Sequence, residues 1–169
     1  MGSSTTGTII GIIVGLLVTL GIGYLLCFAA ISGFPLSGPG LISPTVISDF
    51  QTASIIGQIQ LIYSGILLNI LETYIVAPVI WLLGGLIAGL VVRDMMKGAA
   101  AGLIAAIIAP FICWILTWSI LYPGDFTQLA NPTLLNLLLN WVIHGILGGI
   151  IAAVGGVIGG TLTSGFEAR

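Results

Sequence analysis

The sequence predicts an all-α integral membrane protein: four transmembrane helices packed through small-xxx-small faces, with an amphipathic helix on the outer side between the first two. Three observations lead there. Of the 169 residues, 58% are hydrophobic and 5% charged, whereas a soluble domain carries about 25% charged residues. With a mean hydropathy of +1.26 and only three basic and five acidic side chains, the chain cannot cover itself with a polar surface in water. Its apolar runs have the length of membrane-spanning helices, and glycine recurs within them at four-residue steps.

The first run, Thr8 to Ile31, is long enough to cross a bilayer, for which a helix needs about 20 residues. "MGSSTTG" precedes it without the Lys or Arg of a secretory leader, so the sequence predicts a retained anchor. Residues 32–73 hold a loop and the amphipathic helix. The loop, "SGFPLSGPGLISP" from Ser32 to Pro44, is punctuated by helix-breaking proline and glycine. Ser48 or Asp49 can then cap a helix. From Asp49 to Thr73, the polar or small residues Gln51, Ser54, Gln58, Gly65, Asn69 and Glu72 follow one face, and Ile55, Ile59, Ile62, Ile66 and Ile70 another. That periodicity predicts an interfacial helix, or one folded over the bundle; a membrane span is the rival reading.

Tyr74 to Val92 forms the second span, with Pro78 kinking its first turns. The short turn "RDMMKG" leads to the third, Gly98 to Leu121, and the loop "YPGDFTQLANPT" to the fourth, from about Leu134 to Leu162. Pro132 suits the start of that last helix. Arg93, Lys97 and Arg169 fall on one side under the positive-inside rule, which puts both termini in the cytoplasm and the protein in the cell membrane. A fifth span would turn the N-terminus outward.

The most regular signal is a spacing. In the last span Asn136, Asn140, His144, Gly148, Ala152, Gly156, Gly160 and Ser164 lie four apart. The first repeats the habit with Gly7, Gly11, Gly15, Thr19, Gly23 and Cys27, the second with Ala77, Trp81, Gly85 and Gly89, the third with Gly98, Gly102 and Ala106. Helices in lipid gain little from hiding apolar surface, so they associate by the close contact that glycine permits. These glycines, with Gly145, Gly149, Gly155 and Gly159, are therefore read as packing residues. One face would pack inside the chain and another against a partner. "LLGGLIAGLV" in the second span also echoes "ILGGIIAAVG" in the fourth.

Within "GGLIAGLVVRDMMKGAAAGLIAAIIAP", residues 84–110, a GG-x-x-AG span, a charged turn and a GA-x-x-G span follow one another. In this the chain resembles a loose class of uncharacterised glycine-rich, four-span membrane proteins common in archaea. The resemblance implies topology and no catalytic residues.

The polar candidates are few. Asn136, Asn140 and His144 make either a hydrogen-bonded seam between helices or a polar path for a proton or solute, with Glu72 near its mouth. The seam is the favoured reading. A metal site would need more donors than one His, and no Cys or carboxylate stands at ligand spacing from it. Cys27 and Cys113 sit in apolar runs as small hydrophobes. No GxSxG, HExxH, CxxC or phosphate-loop pattern occurs, and "GGVIGG" lies within a helix with no strand before it. No basic run suits nucleic acid. The sequence thus predicts a non-catalytic protein without cofactor or metal, whose partners are the bilayer and other membrane subunits or copies of itself. A small channel or carrier is the alternative.

Overall fold

A computed structural model describes residues 4–32, 42–71, 73 and 75–167. Helix α1 runs over Ser4–Ile31, α2 over Pro44–Thr52, α3 over Ile55–Ile62, α4 over Val76–Val92, α5 over Met95–Leu121 and α6 over Pro132–Glu167. A π-helical turn, Tyr63–Leu67, continues α3, and a 3₁₀ turn, Phe126–Ala130, precedes α6. The fold is all-helical, with no strand among the described residues. Three helices, α1, α5 and α6, are long and apolar enough to cross a membrane. The equally apolar α4 has 17 residues, about 25 Å of helix.

Local chemistry sets the boundaries. Ser43 caps α2, its hydroxyl accepting the Thr45 N–H at 3.3 Å with Pro44 as the first helical residue, so the helix begins ahead of Ser48 and Asp49. The single amphipathic helix expected over 49–73 is replaced by two short helices and the π turn. Ala53 and Ser54 adopt extended backbone, and the Ser54 hydroxyl takes the Gly57 N–H at 3.3 Å and restarts the chain as α3. A serine that bonds its own backbone competes with helix continuation. Burial is also uneven along this stretch: Ile62, Ile66 and Leu67 are fully buried, whereas Ile55 is 72% exposed. Arg93 closes α4 in the left-handed region (φ 56°), and Asp94 caps α5 by accepting the Lys97 N–H at 2.9 Å, three residues earlier than the sequence predicts. Asn131 accepts the Thr133 N–H at 2.9 Å and starts α6 at Pro132.

The α4–α5 hairpin forms a central layer, with α1 against one side and α6 against the other. Adjacent glycines divide this labour. A Cβ on Gly84 would meet Thr19 and the Gly15 carbonyl of α1, while one on Gly85 would meet the Ala152 carbonyl of α6. On α5, Ala101 and Ala105 approach the α1 glycines, and Gly98 and Gly102 approach α6. The half of the bundle around Trp81, Phe50, Ile62, Ile66 and Leu67 is filled by large side chains. The other half, towards the α4–α5 turn, is backbone against backbone.

Candidate functional site: a glycine seam and a buried histidine

Two four-residue rows run side by side in register. Trp81 of α4 meets Gly148 of α6, Gly85 meets Ala152 and Gly89 meets Gly156. A Cβ on Gly148 would stand 2.7 Å from the Trp81 indole nitrogen. The Ala152 carbonyl oxygen occupies the place of a side chain on both Gly85 and Gly102, 2.5 Å from a Cβ on the latter. One turn on, the Gly156 oxygen does the same for Gly89 and Gly98, 2.6 Å from a Cβ on the latter. Each carbonyl thus straddles one glycine of α4 and one of α5, the arrangement in which Cα–H groups contact carbonyls between close helices. Gly160 continues the row onto the α4–α5 turn, 2.6 Å separating its Cβ position from the Asp94 carbonyl.

The flanks of α6 are used as well. Gly145 faces Pro110 and the Ala106 carbonyl, Gly149 faces Leu103, and Gly155 and Gly159 approach the Leu82 and Leu86 carbonyls. Both smooth faces of the helix therefore lie within this chain. On α1, Gly11 meets Val92, Ala101 and Ala88, and Gly15 meets Ala88. Gly7 has nothing within 4 Å.

His144 is 8% exposed, and its Nδ1 has no hydrogen-bond partner among the described residues. The register that pairs Trp81 with Gly148 sets His144 level with the fully buried Ala77, in the first turns of α4. Asn136 and Asn140 do not join it: both are exposed. The reason lies in the neighbour: His144 is level with Ala77 and α4 begins only at Val76, so Asn140 and Asn136 lie on α6 beyond the start of the helix that covers the rest of the row. Glu72, the other polar candidate, lies outside the described residues, as do Tyr74 and Arg169.

The polar contacts at this end of the bundle come instead from Trp81, Tyr24, Gln58, Gln60 and Thr117, none of which the sequence offers as a polar site. The Trp81 indole donates to the Leu67 carbonyl at 2.9 Å. The Tyr24 hydroxyl donates to Gln58 Oε1 at 2.8 Å, and the Gln60 amide donates to Thr117 Oγ1 at 3.2 Å. Gln58 and Gln60 stand two apart and so face different helices; that offset was the available signal.

Beyond the helix ends, the Asp94 carboxyl is held below its ordinary range by the Lys97 backbone N–H it accepts, with the Lys97 ammonium 3.6 Å away. The Thr127 hydroxyl similarly lowers Asp125. No cluster of three or more His, Cys, Asp or Glu side chains that could hold a metal ion occurs among the described residues.

These features define an all-helical protein built on long apolar helices around a glycine-lined hairpin. Residues 51–162 match the model of a family of unknown function, DUF5518, and the chain belongs to that family. The matched span holds the whole α4–α5–α6 seam and leaves out α1. No curated protein and no solved structure matches the chain.

Proposed function

We propose that the chain is a four-span protein of the cell membrane, with α1, α4, α5 and α6 crossing the bilayer and both termini in the cytoplasm. It acts without catalysis, as an accessory or structural subunit of a larger membrane assembly or as a homo-oligomer. The observation that carries this reading is the division of the small residues. Those of α4, α5 and α6 make a solid interior, while on α1 both Gly7 and Gly21 have nothing within 4 Å. Gly21 opens on an apolar groove of about 490 Å³ between α1 and α3, lined by Leu17, Leu20, Gly21, Tyr24, Leu25, Ile55 and Ile59. Helix-interior glycine costs about 1 kcal/mol relative to alanine, so one that touches nothing among the described residues is explained by a neighbouring helix. The Arg93–Lys97 turn supports the orientation.

The channel or carrier reading has less support. A solute path needs polar groups through the membrane, but Asn136 and Asn140 face outward and the Ala152 and Gly156 carbonyls fill the inner half.

Purification in mild detergent followed by native mass measurement tests the proposal. A mass of two or more copies, or of one copy with a second membrane subunit, is the expected result. For a homo-oligomer, Gly21→Cys in a Cys27→Ser, Cys113→Ser background gives a disulfide between copies. A stable monomer that brings down no other subunit overturns the proposal.

A further inference from the structure

Residues 55–67 enter the bundle from its outer end. Ile62 rests on Gly23, eight residues short of the end of α1 at Ile31, which is about 12 Å of helix. From Ile55 the helix first breaks at Leu68, which is buried, and non-helical backbone within a membrane bundle is tolerated only where protein buries it or where it lines a water-filled cavity. Three neighbouring helices each hold this segment by one polar contact: Tyr24 of α1 on Gln58, Thr117 of α5 on Gln60, and Trp81 of α4 on the Leu67 carbonyl. Its two ends are breaks in the helix, extended backbone at Ala53 and Ser54 and a departure at Leu68 (φ −100°, ψ 21°). The segment ends in a π turn, a form common at functional sites.

We propose that residues 55–67 are a lid, hinged at Ala53–Ser54 and at Leu68, which swings outward and opens the outer half of the bundle down to Cys113. The inner half is locked backbone to backbone and takes no part. The lid has no such lock. Its outer residues Ile55 and Ile56 are exposed, and hydrogen bonds between helices in a bilayer are individually weak, so a few of them hold a closed state against a sparsely populated open one. Cys113 is fully buried in the same cluster as Tyr63, Ile66 and Leu67, and Thr117 of the α5 latch lies one turn beyond it. Opening exposes the thiol.

The test follows modification of Cys113 by a membrane-impermeant maleimide, in the full chain in lipid nanodiscs with Cys27→Ser, read by mass spectrometry of the Cys113 peptide. Trp81→Phe and Thr117→Val each remove one latch and should speed modification by roughly three- to tenfold. A lock is also available. The Cβ position of Gly23 is 4.0 Å from Ile62 Cβ, within the range a disulfide spans, and the Ile62→Cys change removes the methyl group that crowds Gly23. Oxidised Gly23→Cys/Ile62→Cys should react at Cys113 more slowly than the parent, and reduction of the same sample should restore the rate. Equal rates in the oxidised and reduced forms, or latch variants that melt cooperatively yet react no faster than the parent, overturn the lid.

Discussion

The carbonyl oxygen of Ala152 stands where Gly85 would carry a side chain. Nothing at that point can give way, because the obstacle is helix backbone. Gly85→Ala should therefore lower stability by about 1–3 kcal/mol, the usual cost of overpacking, with Gly102→Ala behaving alike. Within a single copy Gly7→Ala meets nothing within 4 Å among the described residues and should raise the stability of the separated monomer by up to about 1 kcal/mol through helix propensity. Thermal unfolding of the three variants in one detergent checks the contrast; a Gly85→Ala protein as stable as the parent would show that the helices stand further apart.

Replacing His144 should cost little. A buried nitrogen without a partner carries a desolvation penalty of about 1–3 kcal/mol, and an apolar group of similar size relieves it. His144→Leu is expected to melt at or above the parent temperature. A loss of more than about 2 kcal/mol would reveal a bonded partner for Nδ1.

Asn140 faces outward, so Asn140→Leu should leave stability within about 0.5 kcal/mol of the parent. The same variant in a flux assay on liposomes separates the two readings of its row. Unchanged flux is the outcome consistent with a subunit rather than a carrier.

The α5 cap is sensitive to acid. The folded-state value of Asp94 lies below the ordinary 3.8, chiefly because its carboxylate accepts the Lys97 N–H. Its contribution is fully present above that ordinary value and is lost as pH falls through the lowered one. Hydrogen exchange at the Lys97 amide should quicken relative to neighbouring amides as the pH drops below about 4. Asp94→Asn should flatten that dependence.

Much of the architecture is legible in the sequence because lipid imposes simple rules. Length and apolarity mark α1, α5 and α6, and the four-residue rows are visible as spacing. Which row meets which is not, since Gly85, Gly89, Gly98 and Gly102 are alike as letters and only their partners on α6 sort them, Gly85 with Gly102 at Ala152 and Gly89 with Gly98 at Gly156. The break at Ala53–Ser54 escapes for a different reason: the three- and four-residue periodicity of Gln51, Ser54 and Gln58 runs through it unbroken, while the Ser54 hydroxyl ends one helix and begins another. Asn136 and Asn140 mislead because equal spacing says nothing of where the neighbouring helix begins: α4 starts at Val76, level with the turn that holds His144.

A seam of repeating small residues is degenerate. Sliding α6 by one turn would set Gly85 against Gly148 or Gly156, and glycine accepts either. Along this one row, glycine alone does not fix the alignment. Trp81 removes the ambiguity, because its indole fits over Gly148 and a one-turn slip would drive it into Ala152 or His144. One aromatic ring at the head of the row thus makes a repeating seam read in a single alignment.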